Sequence, residues 1–209
     1  MQNSQAYTTF TKQTKAIGRE KMDGYVYQTL ENIYDWERDE VEDIIWYRFV
    51  YENDFDLAIF MPKLTKYNGI EALKSKIDKL NMPSDASFNI AETLYVATNE
   101  CKYFKLLIEN YNVADKAAKI GYVSRLACMA KKKEVYDKLI DIYINGEDVN
   151  QFTAIRGILW ADGYLRNIDD MDEIIVNMQL LKMFKKECKE ERKNVIADYI
   201  NGAFECYRI

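Results

Sequence analysis

Apolar residues recur every three or four positions along most of this chain, and that period predicts helices rather than strands. Val26, Leu30, Ile33 and Tyr34 predict a packed helix over 24–36. Val41, Ile44, Ile45 and Phe49 predict another within the highly charged stretch 37–56, whose acidic first turns suit the positive end of a helix dipole. "NDFDLAIFMPKL" reads as its partner helix, with Asn53 or Asp54 as cap and Pro62 bending or ending it near Met61. Asn68-Gly69 marks a turn, after which Ile70, Leu73, Ile77 and Leu80 share one face while Lys74, Lys76 and Lys79 point outward. Before all of these, residues 1–22 form a polar, basic leader in which Tyr7 and Phe10 are the natural anchors.

The second half carries an internal echo. "CKYFKLLIENYN" (101–112) recurs 32 residues later as "KEVYDKLIDIYIN" (133–145), setting Leu107 on Leu139, Ile108 on Ile140 and Tyr111 on Tyr143. A shorter helix rich in small residues precedes each copy, so the unit is a helix pair, and such pairs cover their apolar faces by stacking. Gly146 reads as a helix stop and "GEDVNQ" as a crossing loop, with "FTAIRGILWADGYLRN" opening a third pair. Asp170 with Glu173 reads as a capping box for "DEIIVNMQLLKMF". A final stripe of Val195, Ile196, Tyr199, Ile200, Ala203, Phe204 and Tyr207 predicts a helix that closes the stack. The expected fold is therefore all-α, a short stack of antiparallel helical hairpins. Residues 1–82 form an N-terminal helical segment and 83–209 the hairpins with their closing helix, one continuous domain with its clearest break at "PSDAS", where Ser84 or Ser87 caps the next helix.

"LACMAKKKEVYDKLIDIYINGEDVN" (126–150) resembles the second half of an ankyrin repeat, and "LYVATNECKYFKLLIENYN" is similar to it. The likeness covers about a quarter of the chain. The Thr-Pro-Leu-His start of that family is missing from both copies, and the run from Leu139-Ile140 to Gly146 is longer than its pattern, so a HEAT-like or other α-hairpin stack fits equally. What the resemblance implies is a binding scaffold, with no catalytic residue carried over.

Composition narrows the chemistry. With 8 Gly and 2 Pro in 209 residues, the chain lacks the turn punctuation that many short strands require. A net charge of -5 gives no general attraction to nucleic acid or to anionic membranes. The first residues lack a basic segment followed by an apolar core, and no apolar run approaches membrane-spanning length, so a cytoplasmic protein is expected. Cys101, Cys128, Cys188 and Cys206 are scattered and are expected as buried free thiols. The absence of histidine excludes imidazole acid–base catalysis and imidazole metal ligands. No glycine-rich phosphate loop occurs, and no cofactor is expected.

Carboxylates and aromatics remain. Asp162, Asp169, Asp170 and Asp172 cluster without the spacing of a calcium loop and are expected to cap the next helix; a carboxylate enzyme built on them is the rival reading. Between Glu31 and Asp56 the acids face only Arg38 and Arg48, which suits a basic partner. The expected function is a non-enzymatic protein–protein interaction module that uses one face of the helical stack. Its sharper form is a stoichiometric inhibitor, of the immunity or phage counter-defence kind, acting on a nuclease or other basic effector. The candidate contacts are Glu37, Glu40, Asp43 and Trp46 in the first half and Arg156 and Trp160 in the second, although Trp46 and Trp160 are also natural core residues.

Overall fold

The computed structural model describes residues 2–17, 24–81 and 84–208, and among these every regular element is helical. Contacts divide the chain into two units, Met1–Val113 and Ala114–Ile209. The sequence reading put its break at 82/83 instead. Met82 and Pro83 lie outside the described residues, and the helix that follows them packs back onto the first unit.

In the first unit, α1 (Gln5–Lys15) is capped by Ser4, whose side chain accepts from the Tyr7 N–H. Phe10 of α1 is fully buried against Tyr25 and Phe60, with ring centroids about 6 Å apart, so the leader is docked there. The basic residues Arg19 and Lys21 of that leader lie outside the described residues. The predicted 24–36 helix shrinks to α2 (Thr29–Asn32). Gly24 takes positive φ and Ile33 is extended, and Glu37 reaches back to the Tyr34 N–H, so that α3 (Asp35–Tyr51) starts earlier than its apolar pattern implied. Asn53, at φ 57, then turns the chain into a 3-10 helix, Phe55–Lys63, where an α-helix was expected. Pro62 sits inside it near its end, supplying no N–H.

The next helix, α4 (Gly69–Ile77), is capped by Asn68, and it packs on the 3-10 helix. Gly69 comes so close to that helix that a Cβ there would stand 1.9 Å from the Met61 carbonyl oxygen. Two further helices, α5 (Asp85–Thr98) and α6 (Cys101–Val113), form a hairpin through Asn99 in the left-handed region. Buried Asn110 ties α6 to the start of α5 by accepting from the Ser84 N–H and the Ser87 hydroxyl.

The second unit is centred on α7 (Lys116–Ala127), α8 (Lys133–Asn145) and α9 (Asp148–Ala161), with α9 packed on both of the others. Gly157 makes this possible, since a Cβ would fall 2.8 Å from that of Ala127. The crossing loop shortens to Gly146 and Glu147 because α9 begins at Asp148. "DEIIVNMQLLKMF" breaks at Asn177 into α10 (Met171–Val176) and α11 (Met178–Phe184). The last helix, α12 (Lys189–Ile200), packs on α8 and α11, burying Val195, Ile196 and Tyr199; Phe204 after it is buried too, whereas Ile200 and Tyr207 face outward. Leu94, Leu107, Leu126, Leu139, Ile158 and Ile174 are all buried, as their spacing implied. The four cysteines are free but exposed, contrary to expectation, because each falls on or beside the outer face of its helix or turn. No helix among the described residues is long and apolar enough to cross a membrane.

Candidate functional site: the outer face of α3

The acidic run on α3 separates by helical phase into two sets. Glu37, Val41, Ile45 and Phe49 succeed one another at intervals of four and are all fully buried, with Glu42 beside them. Glu37 is therefore no surface contact, and its place among the candidates is corrected. Its carboxylate accepts from the Ser4 N–H at 2.8 Å, the Ser4 hydroxyl at 2.7 Å and the Tyr34 N–H at 2.9 Å, which fastens α1 onto α3. Burial pushes the Glu37 pKa up, but hydrogen bonds from the Ser4 side chain and from the backbone of Tyr34 and Ser4 outweigh it and hold the group below its ordinary value. Glu42 does the same for the segment after the 3-10 helix. It accepts from the N–H groups of Thr65 and Lys66, from the Thr65 hydroxyl and from Arg38. There too desolvation is overcome, chiefly by the Lys66 N–H and the Arg38 side chain.

On the opposite side of α3, Trp36, Glu40, Asp43, Tyr47 and Tyr51 are spaced by three or four residues, so at 100° per residue they fall within an arc of about 80°. The stripe is about 22 Å long at 1.5 Å per residue. Trp36 is 51% exposed, Tyr47 56% and Tyr51 67%. The Tyr47 and Tyr51 rings lie 5.4 Å apart, and Tyr34 lies 6.0 Å from Trp36. Glu40 accepts from the Tyr7 hydroxyl, and Asp43 accepts from Lys66 Nζ and the Tyr67 hydroxyl, contacts that hold the Asp43 pKa down. Trp46 flanks the stripe half-buried, stacked on Tyr67 at 4.5 Å and 8°, where it braces the residue that holds Asp43. Asp39 is exposed on the same side. The arrangement is a rigid aromatic ridge bordered by carboxylates, a composition suited to burying Trp and Tyr against a cationic or aromatic-tolerant surface.

The remaining two candidates belong to the second unit. Arg156 donates to the Ile168 carbonyl and lies 3.7 Å from Asp169, so it secures the segment after α9. Trp160 is half-buried under Lys131, whose Nζ sits 4.5 Å above its ring. Both have structural employment. The Asp162–Asp172 acids do not converge: Asp162 accepts from the Tyr136 hydroxyl at 2.7 Å and the Tyr199 hydroxyl at 2.6 Å, while Asp170 caps α10. Glu173 does not complete the expected capping box and instead accepts from the N–H groups of Arg166 and Asn167. Among the described residues no group of three or more potential ligands is placed to hold a metal ion.

Sequence reasoning missed Trp36, Tyr47 and Tyr51 as a set. The signal was present, because they lie opposite the 37/41/45/49 stripe. Comparison of the chain with family models, with curated proteins and with solved structures finds no match.

Proposed function

We propose that the chain is a non-enzymatic interaction module that binds a basic protein partner through the outer face of α3, within a short stack of helical hairpins. The observation that carries this reading is the alignment of Trp36, Tyr47 and Tyr51 with Glu40 and Asp43 on one exposed helical face. These partly exposed aromatics are held in place by neighbouring rings, so little side-chain freedom remains to be lost on association. The carboxylates favour lysine- or arginine-rich surfaces and accelerate encounter with them. Binding of this kind acts by occlusion, which is how a stoichiometric inhibitor of a basic effector works. The packing of α9 on both α7 and α8 supports the stacked-hairpin reading of the second unit.

The test is paired capture from the source cell, with the unaltered chain and the W36A/Y47A/Y51A variant as baits. A basic protein retained by the first, lost from the second and released by moderate salt is the expected result. Equal retention of every protein by both baits sinks the assignment of the site.

A further inference from the structure

We propose that the second unit holds a small-molecule site for a single-chain amphiphile with an anionic head, such as a medium-chain carboxylate. The site is a cavity of about 420 Å³ between the end of α8, the start of α9 and α11, a volume within the range of small-molecule pockets. Its floor is apolar, built by Ile155, Leu181 and Phe184. At its lip Phe152 and Met178 stand 44% and 37% exposed, apolar surface that a tail would cover.

Three lysines, Lys182, Lys185 and Lys186, border the same cavity, against the two acids Asp148 and Glu187. Among the described residues none of the three lysines is paired with a carboxylate. The cation-bearing wall is also fixed in place. The Tyr143 hydroxyl donates to the Phe184 carbonyl at 2.7 Å, and buried Arg192 donates through Nη1 to the carbonyls of Lys186 and Glu187 and through Nε to that of Ile144. Across the mouth, Gln151 holds the Gly146 carbonyl. An apolar floor and an excess of unpaired ammonium groups at the rim select a molecule that is apolar at one end and negative at the other. A preformed wall lowers the ordering cost of receiving it. This site is independent of the α3 surface, and either reading stands if the other fails.

Isothermal titration of the full chain with dodecanoate, below its micelle concentration, tests the assignment. One saturable equivalent is expected, with about 3- to 4-fold weaker binding for each methylene removed from the tail. K182Q/K185Q/K186Q should weaken binding by at least about tenfold, dodecyltrimethylammonium should bind at least as much more weakly than dodecanoate, and the Met178 methyl resonance should shift on titration. Phe152→Ala, a change at an exposed position, should weaken binding without altering the melting curve. No saturable binding, or binding indifferent to head-group charge and to both variants, overturns the proposal.

Discussion

Glu37 and Glu42 in the first unit and Arg192 in the second occupy equivalent structural roles with opposite charge. The two carboxylates collect N–H and hydroxyl donors from Ser4, Tyr34, Thr65 and Lys66, fastening α1 and the segment after the 3-10 helix to α3. Arg192 serves three backbone carbonyls instead, tying the segment between α11 and α12 to the end of α8. Irregular backbone packed against a helix must have its polar groups satisfied, and a buried ion does so for several at once. Which ion serves is set by what the loop presents: donors at 65–66 call for an anion, acceptors at 186–187 for a cation. The consequence is a different response to acid, since carboxylates titrate in the accessible range and guanidinium does not.

The largest effect that tests this contrast comes from the close approaches beneath it. Gly69→Ala places a methyl against backbone, at 1.9 Å from the Met61 oxygen, and should cost about 3 kcal/mol or more; Gly157→Ala in the second unit meets Ala127 and the Leu139 side chain and should cost about 1–3 kcal/mol. Urea denaturation monitored by circular dichroism measures both. Equal, negligible losses would mean that these helices separate easily.

Glu42→Ala should cost about 3 kcal/mol, because it strands the Thr65 and Lys66 N–H groups and removes the anion beside Arg38, and Arg192→Ala about 2 kcal/mol, because carbonyls left behind near the surface can recruit water. Regional hydrogen exchange should show the first change loosening 64–67 and the second 184–187. The opposite assignment contradicts the roles given to the two ions.

Acid sharpens the contrast further. The folded pKa values of Glu37 and Glu42 lie below the ordinary 4.5, so their stabilisation is present above about pH 4.5 and is lost as the pH falls through the folded values. Exchange protection of α1 and of 64–67 should therefore fail before that of α8 and α9 between pH 5 and 3. In the alkaline direction the sign reverses. Burial first, then the bond to Asp162, raises the pKa of Tyr136 and of Tyr199 above the ordinary 10.0, so their contribution is complete below pH 10 and declines above it. Ultraviolet titration should show these phenols ionising only as the second unit unfolds.

The smallest effects belong to the outer face of α3. Trp36→Ala, Tyr47→Ala and Tyr51→Ala should each move stability by no more than about 0.5 kcal/mol, since the rings are mostly solvated. Glu40→Gln with Asp43→Asn should leave the fold intact and slow association with a basic partner, most at low salt. Stopped-flow association rates against ionic strength decide this: a rate that ignores both salt and substitution removes the electrostatic part of the reading.

Periodicity alone determined that the chain is helical, and it located the core positions of α4, α5, α6, α8 and α9, because a strict three-or-four spacing of Leu and Ile admits one buried face. The same period contained the phase that separates Glu37 from Glu40, but acidic residues in a charged run look alike until a partner is supplied. The partners that decide which acids are buried lie far along the chain, Ser4 33 residues from Glu37 and Thr65 23 residues from Glu42. Tertiary structure also decided that Phe55–Lys63 is 3-10 rather than α and that 24–36 is mostly irregular, since local apolar spacing cannot weigh a cap made by Glu37 against one more helical turn. The cavity bordered by Lys182, Lys185 and Lys186 was illegible for the same reason: its floor comes from α9 and α11, the backbone of its lysine-bearing wall is held by Arg192 of α12, and only folding brings those three segments together.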